Sequence, residues 1–325
     1  MQRWSTRALD DVAVRLTECM RAIGWGVVKL LSNTNLLKTS GTLLVLLGIL
    51  HLPVWLAAGG SWEGDVSWRK PILFGISTGV TLWSLAWLYG KIPRWKMDSP
   101  LGWWIAVSLL IEVGLITLQQ WRLQPSHFNQ TTAFDEVVDI SMVLLISGAF
   151  LGILYFAVRS LGEMQCEADY ALAFRGGMFF LVLSCVVGFL ISFHGYRQVA
   201  IGSEPGLVGE KGVAKFPHGI AIHALQLLPM FVWMSRLLAV PLAKRVVALK
   251  WLNLSFTLQL VFAAYQTING WARFEAQTML SFSLLVTSSI ALVVAVFYVV
   301  YWSSWNQPLQ DTAREHVSHP NSEPQ

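Results

Sequence analysis

The sequence predicts an all-α integral-membrane bundle of about eight transmembrane helices, with both termini in the cytoplasm. Three observations predict it. The 325 residues are 54% apolar and only 13% charged, about half the charged share of a soluble domain, and the mean hydropathy is +0.53. Eight apolar stretches of the length that a bilayer demands, roughly 20 residues, recur along the chain: 41–59, 71–90, 101–121, 137–157, 176–194, 218–237, 251–269 and 277–301. Lys and Arg are also spread unevenly. With the N-terminus inside, sixteen fall in inner segments and seven in outer ones, which is the bias that sets topology.

Residues 8–31 precede the first span. Leu9, Val12, Leu16, Met20, Ile23, Val27 and Leu30 recur at three- and four-residue spacing, which is one face of a helix. With Arg15, Arg21 and Lys29 off that stripe, the segment reads either as an amphipathic helix on the membrane surface or as a helix packed on the bundle. The chain thus divides into a cytoplasmic N-terminal segment, 1–39, an eight-helix domain, 40–302, and a disordered cytoplasmic tail, 303–325. The first apolar run begins near Gly41, too far in for a cleaved leader. Pro71, Pro100, Pro217, Lys250 and Glu275 bound the spans. Span 218–237 is the most polar, with His218, His223, Gln226 and Arg236.

Sixteen Trp suit a protein with two membrane interfaces. The net charge of +4 reads as loop charge, and no nucleic-acid motif accompanies it. Cys19, Cys166 and Cys185 form no CxxC pair, so a disulfide framework is not expected. P-loop, GxGxxG, HExxH, nucleophile-elbow and CxxCH motifs are absent, which disfavours a nucleotide-driven pump or a c-type cytochrome. Gln120-Trp121-Arg122 and Gly270-Trp271-Ala272-Arg273 echo each other, as do Gln130-Thr131 and Gln277-Thr278. A parallel four-plus-four duplication, a device of some transporters, gives this pattern.

The polar residues gather toward the outer side. Five of the seven histidines, His51, His127, His194, His218 and His223, fall in the outer half or at its rim. Glu112 lies about 13 Å below the outer end of span three at 1.5 Å per residue. A charge at that depth needs a partner or a wet cavity, so Glu112 is either a proton-carrying or ligand-binding carboxyl or a neutral acid bonded to a neighbouring helix. Gln119 shares its face. Asp135 and Asp139 share a face of span four, and Thr132-x-x-Asp135 is a capping-box pattern, so Asp139 keeps the stronger functional claim. His218 and His223 are five apart, not the i, i+4 pair of a zinc helix; His223 shares a face with Gln226. His51 and His223 lie at similar depth, as two ligands of a b-haem or a divalent metal would. Packing histidines are the alternative. Arg122, His127 and Asn129 lie on the loop above Glu112 and Asp139. Arg122 and Arg69 suit an anionic group held in bidentate fashion, or else snorkel at the interface. Gly148 and Gly152 form a GxxxG close-packing cue.

Trp68-Arg-Lys-Pro71, Ser126-His127-Phe128-Asn129 with Asp135, and His218-x4-His223-x2-Gln226 together resemble a family of bacterial multi-pass membrane proteins without an established activity. The resemblance covers roughly residues 60–230. It implies a bacterial inner-membrane location and treats the outer loops as one site; it implies no reaction. Alkaline-ceramidase-like zinc hydrolases carry i, i+4 histidines, and this chain departs from that spacing.

Three functions fit the residues. The first is a membrane enzyme with Glu112, His127, Asp139 and His223 as metal ligands or acid–base groups, and with Arg122, Asn129, Gln119, Gln226 and Arg69 binding a small or lipid-linked substrate. The second is a proton-coupled transporter working through Glu112 and Asp139. The third is a b-haem electron carrier using His51 and His223. A plain scaffold needs none of them. The one-sided polar set leans toward the enzyme, because the inner halves of the spans offer few polar groups for a path.

Overall fold

The computed structural model describes residues 33–318, with side chains through 303. The amphipathic reading of 8–31 lies outside the described residues. Eight helices follow one another: α1 (Asn33–Ala58), α2 (Arg69–Tyr89), α3 (Asp98–Trp121), α4 (Ala133–Leu161), α5 (Ala168–Ala200), α6 (Lys215–Leu237), α7 (Leu242–Ile268) and α8 (Met279–Ser318). All eight are long and apolar enough to span a membrane. A two-stranded hairpin, β1 (Leu207–Val208) with β2 (Gly212–Val213), precedes α6.

The expected spans are recovered, and several helices run past them. Helix α5 begins eight residues before 176 and ends six after 194. Helix α7 begins at Leu242 instead of 251. Among the charged residues at these ends, Asp169 and Arg245 pair with each other and Arg175 donates to the Ser160 and Gly162 carbonyls, so charge there does not end the helix. The helical backbone of α8 also continues to Ser318, where the sequence reading starts its disordered tail at 303. Leu309, Ala313, Arg314 and Glu315 in that stretch are good helix formers, and they extend a helix already nucleated in the span.

Packing is set by small residues, as expected where lipid removes the hydrophobic drive between helices. Gly41 and Gly48 of α1 lie against Gly79 and Gly75 of α2; a Cβ on Gly75 would stand 2.8 Å from the Leu44 carbonyl. Gly148 and Gly152 seat α4 on Trp104 and Ile105 of α3. Gly177 brings α5 onto Leu225 of α6.

The first four helices and the last four pack in one pattern. In the first group α1 meets α2 and α3, α3 meets α4, and α2 meets α3. In the second, α5 meets α6 and α7, α7 meets α8, and α6 meets α7. The groups join along a seam where α2 meets α6 and α4 meets α5. Helix α2 is the most enclosed, with 56% of its apolar window buried, against 22% for α1 and α8, which present most of their surface to lipid.

Helices joined by loops alternate in direction, so each end of the bundle collects eight helix termini, four N-terminal and four C-terminal. We call the end that carries His51, His127, His194 and His218 the histidine face, and the opposite end the ion-pair face. On the ion-pair face Asp169, at the start of α5 and wholly buried, accepts from Arg236 at 2.6 and 3.0 Å and from Arg245 at 2.6 Å. Glu167 backs both arginines. Asp98 of α3 pairs with Arg159 of α4 at 2.5 Å, and Trp95 stacks 3.7 Å from that guanidinium. From sequence Arg159, Arg236 and Arg245 are ordinary inner-loop charges, because hydropathy does not say which helix ends meet.

Candidate functional site

The α3–α4 loop forms the centre of the histidine face. Thr132 is the N-cap of α4, and its hydroxyl accepts from the Asp135 N–H at 3.2 Å. Asp135 in turn accepts from Thr132 Oγ1 at 2.6 Å, Gln119 Nε2 at 2.9 Å and Arg122 Nη1 at 2.6 Å. Arg122 also donates to Gln119 Oε1. Gln119 and Arg122, expected to bind substrate, are thus engaged in closing α3 onto α4. Asn129 braces the loop: its Oδ1 accepts from Thr131, and its Nδ2 donates to the Pro125 carbonyl.

Past that brace the loop turns inward. Phe128 has φ +59, a left-handed conformation that is costly for a bulky residue and needs support. Asp139 gives that support. Its Oδ1 accepts from the Phe128 N–H at 3.0 Å and its Oδ2 from the Tyr196 hydroxyl at 2.8 Å. The Phe128 ring fills the space over Gly195, where any Cβ would collide with it, and meets Tyr196 edge-on at 5.0 Å. Asp139 of α4 thereby wedges the loop against α5.

Beside it, Ser126 joins two basic groups. Lys70 Nζ donates to Ser126 Oγ at 3.4 Å, and His127 Nδ1 lies 2.9 Å from the same oxygen. The His127 ring packs near Phe74 and Phe128. Burial first, and the Lys70 charge second, lower its pKa from 6.5 to about 4, so the imidazole is neutral at pH 7. Its Nε2 makes no hydrogen bond among the described residues.

Deeper in α3, nine residues before Trp121, Glu112 is 9% exposed and its Oε2 has no hydrogen-bond partner. Ser108, one turn away on the same face, is fully buried with an unpartnered hydroxyl. Cys185 of α5, half-buried, lies within electrostatic reach of Glu112 from across the seam. Orphaned polar atoms in a protein interior are rare and costly, more so where the surroundings are hydrocarbon.

Four more of the described histidines make hydrogen bonds. His51 Nδ1 lies 2.6 Å from the Leu47 carbonyl, and its Nε2 accepts from the Trp121 indole at 3.1 Å. Both ring nitrogens are thus engaged in hydrogen bonds within the bundle. His194 Nε2 meets the Leu207 carbonyl at 2.6 Å and anchors the hairpin. His218 ties α6 to α5 through Ser184, with Nδ1 2.9 Å from its carbonyl and 3.0 Å from its hydroxyl. His223 is exposed and pairs through Nδ1 with Gln226 Oε1 at 2.8 Å; Gln226 reaches across the seam to the Ser77 carbonyl and the Thr81 hydroxyl of α2. Arg69 pairs with Glu63 at 2.9 Å.

The structure therefore gathers Gln119 with Arg122, and His223 with Gln226. It places no hydrogen bond or ion pair between any two of Glu112, His127, Asp139 and His223. Among the described residues, no three His, Cys, Asp or Glu are grouped to hold a metal. The residues that sequence reasoning passed over are Ser108, Ser126, Cys185 and Tyr196. Ser126 stood inside a quoted motif. The other three carry no local signal, because their significance is a neighbour on another helix. Comparison with known family models, curated proteins and solved structures returned no match to this chain.

Proposed function

We propose that this multi-pass membrane protein is a proton-coupled secondary carrier of a bacterial plasma membrane, with Glu112 as the proton-bearing group. The observation that carries the reading is the unpartnered Glu112 carboxyl. It stands close to mid-helix in α3, within electrostatic reach of Cys185 of α5, in a bundle whose two halves pack alike. Carrier sites are typically found near the bilayer midplane, at the interface of structural repeats. The lone buried acid needs a proton, or a ligand that supplies one. The Lys and Arg bias makes the ion-pair face cytoplasmic and the histidine face outer. The enzyme reading loses ground because its acid–base residues make no bonds to one another and Arg122 is committed to Asp135.

Cys185 provides the test, because it lies within electrostatic reach of Glu112. In a Cys19→Ser, Cys166→Ser background, a membrane-impermeant thiol reagent is applied to right-side-out and to inverted vesicles. A carrier exposes its midplane to each side in turn, so Cys185 is expected to react from both, and dicyclohexylcarbodiimide is expected to modify Glu112. Reaction from the histidine side alone overturns the carrier and selects a one-sided pocket. Reaction from neither side overturns both.

A further inference from the structure

Helix α3 carries two buried polar groups, one turn apart, for which the fold supplies no partner. Ser108 is fully enclosed and Glu112 nearly so. The Ser108 hydroxyl and Glu112 Oε2 make no hydrogen bond among the described residues. Four residues apart, the two side chains lie one above the other on the same helix face. Other hydroxyls in the spans fall back on the carbonyl one turn before them: Thr81 on Ser77, Ser84 on Val80, Thr117 on Val113. Ser108 does not. Gln119, farther along α3, is bonded to Asp135 and Arg122. Among the described residues no ion pair reaches Glu112. Two oxygens on one face, in the interior of a membrane bundle, are thus left open together.

The chemistry of the pair selects its ligand. A carboxylate and a hydroxyl oxygen together call for a group that donates hydrogen bonds and carries positive charge. A divalent cation takes six or more oxygens, and two side chains are too few. Sodium sites in carriers draw on the carbonyls of unwound helix, whereas α3 runs unbroken from Asp98 to Trp121, so its carbonyls are committed to helix bonds. Among the described residues no three His, Cys, Asp or Glu are grouped for a transition metal. An ammonium group has three N–H donors and one charge, which suits one carboxylate and one hydroxyl.

We propose that Ser108 and Glu112 together bind the ammonium group of an amine, and that the carrier exchanges this amine for a proton. The inference rests on the carrier reading of Glu112 and names its substrate class. An acid in hydrocarbon without a counter-charge is neutralised by one positive charge at a time, either a proton on the carboxyl or an ammonium beside it. It does not hold both, because a protonated carboxyl has no charge to balance the cation. An arriving amine therefore sends the Glu112 proton to water, and a returning proton releases the amine. No covalent bond to the substrate forms. Ser108 takes the N–H that the carboxylate leaves over, so it orients the ammonium and favours amines that keep a spare donor.

The test uses the full-length protein in nanodiscs of phosphatidylcholine, at pH 7 in weak buffer with a pH-indicator dye. Methylammonium and benzylammonium chlorides, adjusted to the same pH, are the probes, and sodium benzoate is the control of opposite charge. Saturable proton release is expected with an ammonium and none with benzoate. Glu112→Gln is expected to abolish the release. Ser108→Ala is expected to raise the half-saturating concentration about tenfold, the order of one lost hydrogen bond to a charged group, and Ser108→Thr, which keeps the hydroxyl, to restore it. No release with either ammonium overturns the proposal, as does release that Glu112→Gln leaves unchanged. Half-saturation that Ser108→Ala does not move overturns the two-oxygen site. Cys185 labelling needs no amine. Failure here with two-sided labelling there removes the substrate class and leaves the carrier standing, whereas labelling from neither side removes the carrier itself.

Discussion

The ion-pair face and the seam are held by different chemistry. On the ion-pair face, Asp169 with Arg236 and Arg245, and Asp98 with Arg159, are charge-on-charge contacts. Each lies within one four-helix group. Across the seam the ties are of another kind: the Tyr196 hydroxyl on Asp139, the Gln226 amide on Ser77 and Thr81, and Trp87 of α2 edge-on to Tyr170 and Phe174 of α5. Among the described residues no ion pair joins the two groups. A buried ion pair broken on one side leaves a charge stranded, whereas the loss of a single hydrogen bond costs about 0.5–1.5 kcal/mol, more where a carboxylate accepts it. The difference leaves the ion pairs inside each group and the seam joined by hydrogen bonds and aromatic contacts.

The comparison breaks first at Asp169. Asp169→Ala leaves Arg236 and Arg245 with the half-exposed Glu167 as their acid partner. A loss of about 3 kcal/mol is expected, at the low end for a buried pair, read as a fall in thermal unfolding temperature in detergent. Unchanged unfolding would show that these ion pairs do not hold the ion-pair face together. A smaller effect is expected at the seam. Tyr196→Phe removes one hydrogen bond to a carboxylate, about 1.5 kcal/mol. Its signature is faster Cys185 labelling from the histidine side, since the α3–α4 loop loses its tie to α5. If labelling slows or stays constant, Asp139 does not hold the seam shut.

The smallest expected effect is on pH. His127 is neutral in the fold because its pKa is lowered to about 4 from 6.5. A depressed imidazole contributes its stability above 6.5 and loses it progressively as pH falls toward 4. The ring is only half-buried, and water therefore softens the penalty. Protease cleavage in the α3–α4 loop should rise between pH 6.5 and 4 in the native chain and stay level in His127→Phe. An equal rise in both would place the sensitivity elsewhere.

The sites differ in how legible they were. Thr132 as a cap and Gly148 with Gly152 as a contact were readable, because a capping box and a GxxxG are written in consecutive residues. Glu112 was readable as an anomaly, a carboxylate where hydrocarbon was due. What Arg122 and His51 do was not readable: each had a functional reading and a packing reading, and the choice turned on Asp135 and Trp121, residues of other segments. Tyr196 and Cys185 gave no signal, since a tyrosine near a helix end and a cysteine in a span are ordinary.

The sequence alone determined that the chain lives in a bilayer, where its helices run and which loops carry charge. Those follow from the free energy of moving side chains from water to hydrocarbon, which sums along the chain and needs no partner. The tertiary structure decided which charges are spent on holding helices together and which remain free. That depends on which helix ends meet, and hydropathy is silent about neighbours. Two arginines of equal hydropathy thus differ: Arg122 is bound to a buried aspartate, and Arg273 is exposed in the loop between α7 and α8.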